Sequence, residues 1–204
     1  RPPVDNPVDE CARGAATAAA KLMRLDAEKT AHTLAIAAST AAGIRGDFGT
    51  MTKPLHAGWA SRSALAATNL ARSGFSAALD VLEAPAGFFA AYGVEESQPE
   101  TAITQLGNPW VIADPGLALK QFPCCYASHR GMDGVLQLRQ RLGLNAANLE
   151  CLECRMPPGG MRVLIYPQPT TGLEGKFSLQ YSLAAGVLDG QYTLWSFTDE
   201  AVNR

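Results

Sequence analysis

The chain has 204 residues, 47% of them hydrophobic and 18% charged, with a formal net charge of −2. That length suits one large domain or two modest ones, and the balance excludes a disordered tail. Lys and Arg are scattered, which excludes a nucleic-acid footprint, and no apolar run approaches the roughly 20 residues that cross a bilayer.

The opening stretch Arg1–Asp5 lacks the apolar core of a signal peptide, so the expected location is the cytoplasm. Five cysteines make an odd count and argue against a disulfide framework in such a chain. Cys151 and Cys154 form a C-x-x-C, and Cys124 and Cys125 are adjacent. Zinc ribbons need two such knuckles on tight turns, whereas Leu149–Met156 reads as a strand and no second knuckle exists. No metal and no cofactor is expected.

In chain order, residues 12–92 are rich in Ala, Leu and small polar residues that favour helix. Asp26 is placed to N-cap a helix over Ala27–Ala42 that stops at Gly43. Its crowd of alanines (Ala31, Ala35, Ala37, Ala38, Ala41 and Ala42) suits close packing in a helical bundle. His32 within it reads as a packing residue. An irregular stretch over 45–58 leads into a helix from about Trp59 to Arg72, ending near Gly74. A short helix is expected at Ser76–Leu82, then a turn at Pro85–Gly87 before Phe88–Tyr92. Residues 93–118 are polar and rich in turn formers.

Beyond them Met132–Leu142 has the period of an amphipathic helix. Strands are expected at 149–156 and 161–166, and a helix at 175–188 with Asp189-Gly190 as its exit turn. Trp59, Trp110 and Trp195 fit core or interface roles. The composition shift near residue 95 separates an all-helical first part from an α+β second part.

Three segments hold chemistry-bearing side chains. The first, Thr50–Gly58, reads as a loop feeding a helix start, where backbone N–H groups favour an anion. Lys53 adds a charge there and His56 titrates near neutrality. On spacing alone, a solvated lysine and a packed histidine are the favoured reading of these residues. The second, Lys120–His129, gathers Lys120, Cys124, Cys125, Tyr126 and His129. A thiol nucleophile with His129 as base would need a nucleophile elbow that is missing, so cysteines packed as small apolar side chains are favoured. In the third, Glu174–Tyr181, Lys176 is either a ligand-facing cation or an exposed lysine of a helix's first turn.

Taken together and in order, these segments carry a resemblance. Phe48-Gly49-Thr50-Met51-Thr52-Lys53-Pro54-Leu55-His56-Ala57-Gly58 resembles the most recognisable segment of the MmgE/PrpD family, the group of 2-methylcitrate dehydratase and cis-aconitate decarboxylase. Lys120-Gln121-Phe122-Pro123-Cys124-Cys125 with His129 also looks like that family. So does Lys176–Tyr181 followed by Leu188-Asp189-Gly190, and the resemblance spans about residues 20–204.

The resemblance implies a mostly α helical domain followed by an α+β lid domain, both incomplete in this chain, with the active site in the cleft between them. Residues 1–95 would be the C-terminal part of the large helical domain, 96–118 a linker and 119–204 a partial lid. It implies a cofactor-independent lyase acting on a small di- or tricarboxylate, foremost a hydro-lyase like 2-methylcitrate dehydratase of propionate catabolism. A dicarboxylate epimerase such as that for iminodisuccinate, a cis-aconitate decarboxylase, and a noncatalytic truncated remnant acting through oligomerisation are the alternatives. In the decarboxylase branch the position of Cys125 is a histidine, a departure that weighs against decarboxylation. By resemblance Lys53, His56 and Lys120 are catalytic, and Thr52, Cys124, Cys125, Tyr126, His129 and Lys176 bind substrate. A homodimer is implied, with neither nucleic acid nor membrane as partner. The chain reads as an internal fragment, with an N-terminal Asp/Thr/His cluster of the family lying outside it.

Overall fold

The computed structural model describes residues 7–92, 103–104 and 106–204. The expected linker over 96–118 therefore lies partly outside the described residues. The chain divides into two compact units: one holds the described residues up to Gly46 together with Thr52–Gly116, the other holds Asp47–Met51 and Leu117–Arg204.

The first unit is built on three mutually packed helices, α1 (Pro7–Leu22), α2 (Ala27–Ser39) and α3 (Thr52–Arg72), with a short α4 (Phe88–Tyr92). Its core is made of small side chains: Ala16, Ile36, Ala37, Ala64, Ala67 and Ala71. Ala60, Ala64, Ala67 and Ala71 recur at helical spacing on one face of α3, and all are buried. Such a face lets backbones approach closely, so dispersion between many atoms replaces large buried side chains. Thr33 and Thr68 are fully buried because each hydroxyl bonds back to its own helix, to the Lys29 and Ala64 carbonyls at 2.8 Å. His32 Nδ1 accepts the Ala77 amide at 3.2 Å and so fastens the segment after α3.

Several helix boundaries depart from the sequence expectation. Asp26 does cap α2, accepting the Lys29 amide at 2.8 Å. The helix ends at Ser39, short of Ala42, because the hydroxyls of Ser39 and Thr40 fold back onto the carbonyls of Ala35 and Ile36. α3 begins seven residues before the expected Trp59, and Pro54 is tolerated since first-turn amides need no intrahelical acceptor. Ser76–Leu82 forms irregular backbone and turns instead of a helix. Trp59, Trp110 and Trp195 are all exposed and take no core role; Arg62 and Arg204 lie over the rings of Trp59 and Trp195.

In the second unit α5 (Tyr126–Leu142) packs against α7 (Leu179–Asp189), with a single-turn α6 (Gly172–Gly175) and a closing α8 (Asp199–Val202). Val135, Leu164, Leu179, Leu183 and Val187 form one core cluster, and Phe122, Cys124, Met132 and Phe197 form another. Ser178 caps α7 by accepting the Tyr181 amide at 3.1 Å. Gly186 lies so close to Tyr192 that a Cβ there would sit 2.0 Å from its hydroxyl oxygen. That hydroxyl instead donates to the Ser182 carbonyl at 2.8 Å.

The expected α+β lid is corrected. Among the described residues there is no strand, and the second unit is helices joined by irregular backbone. The alternation behind the strand expectation is nevertheless real. From Leu152 to Pro157 exposure alternates residue by residue, with Leu152, Cys154 and Met156 turned to the core. A strand also requires a hydrogen-bonded neighbour, and no backbone bond of 149–156 is made among the described residues. No helix among them is long and apolar enough to cross a membrane.

Candidate functional site

The site residues expected from the sequence fall on two separate parts of the chain. Thr52, Lys53 and His56 lie in the first turns of α3, not on a loop, with Lys53 and His56 half-buried and Thr52 exposed. Lys120, Cys124, Cys125, Tyr126, His129 and Lys176 all belong to the second unit, and there the structure brings them together.

The joint is α5, which starts six residues earlier than the expected Met132. Cys125 is its N-cap, in extended conformation and without a side-chain capping bond. A helix start of this kind carries partial positive charge from its first-turn amides. The Cys125 amide donates to the Lys176 carbonyl at 2.9 Å. Lys176 is therefore not in the first turn of a long helix; it caps the single turn α6, and Ser178 starts α7 separately. Lys120 Nζ donates to the Cys124 carbonyl at 3.1 Å. The Lys120 ammonium and one helix N-terminus thus meet at the Cys124–Cys125 turn, and the Lys176 charge acts weakly on the Cys124 thiol.

The Cys124 thiol itself is quiet. Burial raises the Cys124 pKa above its ordinary 9.0, outweighing the Ser128 hydroxyl bond and the weaker fields of Lys120 and Lys176. Its sulfur rests 3.4 Å from both Ser128 Oγ and Met132 Sδ. A neutral, buried thiol is a packing group and a poor nucleophile. Cys124, Cys125, Cys151 and Cys154 are free, and the described residues contain no cluster of three or more His, Cys, Asp or Glu side chains fit to hold a metal.

His129 is the anomaly. It is 6% exposed, its ring lies 5.2 Å from Phe122 and 5.0 Å from Tyr126 by centroid, and its Nε2 is buried with no hydrogen-bond partner. Burial lowers its pKa below the ordinary 6.5, with the Cys124 and Phe122 carbonyls pulling the other way and the Lys120 charge adding to the depression. A buried acceptor left unpaired costs on the order of 1–3 kcal/mol.

A third stretch of chain completes this surface. Residues 47–51 pack with the second unit through Phe48, whose ring stacks on Phe177 at 5.2 Å and 16°. The Tyr166 hydroxyl donates to the Phe48 carbonyl at 2.7 Å. Gly49, at φ +82°, passes so close that a Cβ would meet the Tyr166 ring at 2.5 Å. The front half of the Phe48–Gly58 motif is therefore held beside the residue that follows Lys176. Sequence reasoning missed Tyr166 and the Phe48–Phe177 pair. Phe48 and Tyr166 are 118 residues apart, and no local spacing announces such a contact.

Comparison with known proteins gives this arrangement its class. An N-terminal domain matches over residues 7–100 and a C-terminal domain over 122–204, and both are domains of one two-domain enzyme family. The chain belongs to the MmgE/PrpD family. It is 32% identical to mouse cis-aconitate decarboxylase over 94% of its own length and 31% identical to the human protein over 94%. To the Aspergillus terreus (strain NIH 2624 / FGSC A1156) cis-aconitate decarboxylase it is 26% identical over 90%. The chain spans 40% of the length of each of these relatives.

Proposed function

We propose that the whole protein is a cofactor-independent lyase acting on a small di- or tricarboxylate, foremost a hydro-lyase like 2-methylcitrate dehydratase. The observation that carries this reading is the Lys120 ammonium at the uncapped start of α5 on the Cys124–Cys125 turn, with the Lys176 charge acting on the same turn. Two cations and a helix N-terminus are what a carboxylate requires. In this reading Lys53 and Lys120 hold carboxylates, and His56 moves a proton. Thr52, Cys124, Cys125, Tyr126, His129 and Lys176 are taken as substrate-binding. It also takes residues 1–95 as helical domain and 119–204 as lid, in a cytoplasmic homodimer.

Elimination of water from a hydroxy acid removes a proton from the carbon beside a carboxylate. The C–H electron pair becomes the new double bond, and the hydroxyl leaves as water after taking up a proton. Negative charge builds on the neighbouring carboxylate as the C–H bond breaks, so fixed ammonium groups there stabilise the transition state.

Decarboxylation is the second reading, favoured by the relatives, which are named cis-aconitate decarboxylases. It uses the same lysines: the C–CO2 electron pair forms a new double bond as CO2 leaves, the acid's existing double bond gives up its pair to the far carbon, and that carbon takes up a proton.

The test is turnover by the full-length protein, followed as water loss from 2-methylcitrate and as CO2 release from cis-aconitate. Lys53→Ala and Lys120→Ala are each expected to lose about 10²–10³-fold in kcat while keeping the wild-type circular dichroism spectrum. Unchanged turnover in both variants would remove the clamp from the mechanism.

A further inference from the structure

The unpaired Nε2 of His129 has a chemical consequence for the ligand of the site just described. His129 is the fourth residue of α5, one turn in from the helix start beside Lys120. With its proton on Nδ1, the neutral ring presents Nε2 as a bare acceptor. Buried polar groups in native proteins are almost always paired, and the exceptions call for a partner. Among the described residues His129 Nε2 is the buried side-chain nitrogen or oxygen that lacks one.

To Nε2 in that tautomer a carboxylate cannot supply the partner, because an ionised carboxylate only accepts. The lysines and the helix start nevertheless call for an anion. One ligand satisfies both demands if it carries a carboxylate and, a few bonds away, a hydroxyl able to donate. The Tyr126 ring, 60% exposed, lies 5.0 Å from the imidazole by centroid.

We propose that His129 carries its proton on Nδ1 and that its Nε2 accepts a hydrogen bond from the hydroxyl of a hydroxycarboxylate whose carboxylate lies on the α5 start beside Lys120, so that His129 selects hydroxylated acids over their deoxy or unsaturated counterparts. The proposal rests on the carboxylate-site reading above and sharpens it, since it sets this chain apart from relatives named for an acid without a hydroxyl.

The experiment compares citrate with propane-1,2,3-tricarboxylate, which differ only in the hydroxyl, by calorimetric titration of the full-length protein. Wild type is expected to bind citrate about tenfold more tightly. His129→Phe is expected to bring citrate down to the affinity of the deoxy acid, leave the deoxy acid within about twofold, and hold or raise Tm. Because that variant could misfold, the imidazole 15N signals of wild type are followed as well. The Nε2 signal is expected to move with citrate and to stay with the deoxy acid.

Equal binding of the two acids by wild type, or equal weakening of both in His129→Phe, overturns the proposal and leaves the carboxylate site standing. Binding of neither acid overturns both. Loss of both acids in Lys120→Ala, with wild type binding them, keeps the carboxylate site.

Discussion

The amide of Cys125 and the carbonyl of Lys176 are bonded at 2.9 Å, and this contact ties the start of α5 to the only residue that separates α6 from Phe177. Phe177 in turn stacks on Phe48. Segments drawn from around residues 48, 125 and 176 are thereby fixed to one another by backbone and ring contacts that do not depend on how their charged side chains are arranged. Lys176 is thus mounted on a frame set by main-chain and ring contacts.

That frame predicts coupled losses. Tyr166→Phe removes the hydroxyl that bonds the Phe48 carbonyl and should cost about 1 kcal/mol. Phe48→Ala removes the ring stacked on Phe177 and should cost more, on the order of 1–3 kcal/mol. The two hold the same residue, so the double variant should lose less than the sum of the singles. Denaturant titration of the four proteins checks this, and strict additivity would mean that the two contacts act independently.

Two glycines of the same motif should respond to alanine with opposite signs. Gly49 sits at φ +82°, and a methyl added there would stand 2.5 Å from the Tyr166 ring, so Gly49→Ala should destabilise by at least about 1 kcal/mol. Gly58 lies inside α3 with nothing within 4 Å of such a methyl. Gly58→Ala should therefore stabilise by about 0.5–1 kcal/mol through helix propensity. Tm shifts of the same sign would contradict the backbone conformation of the motif.

Local chemistry made much of this legible in the sequence. Asp26 announced the start of α2, the alanine spacing announced a close-packed bundle, and the three lysine-bearing segments announced a family. What was not legible depended on contacts distant in sequence. The start of α5 moved to Tyr126 because Cys125 finds its amide acceptor at Lys176, and the helix expected over 175–188 divides at Ser178, which caps α7 alone. The burial of His129 could not be read either. Only the surrounding Phe122 and Tyr126 rings turn an ordinary histidine into a buried, unpartnered one.

The strand expectation at 149–156 can be tested directly. Leu152, Cys154 and Met156 face the core, while Glu153 and Arg155 pair with each other at 2.8 Å on the exposed side. The backbone between them has no partner among the described residues. Amides of Cys151–Met156 should exchange hydrogen at nearly unprotected rates, whereas those of Leu183–Val187 inside α7 should be slower by about 10³-fold or more. Strong protection over 151–156 would mean that a strand from outside the described residues pairs with it.

The last expectation concerns pH, and its sign follows from His129. Burial lowers its folded-state pKa below the 6.5 of a free imidazole, so the unfolded chain binds the proton more readily. Stability carried by the neutral ring is therefore fully present above about pH 6.5 and is lost progressively as the pH falls below it toward the depressed folded value. Denaturant titrations between pH 7.5 and about 5 should show wild type losing stability across that window. His129→Phe has no proton to bind in either state, so its curve should be flatter by that amount, while the carboxylates shared by both proteins cancel in the difference. Parallel curves would place the imidazole in solvent at neutral pH and would contradict the sealed setting that Phe122 and Tyr126 give it.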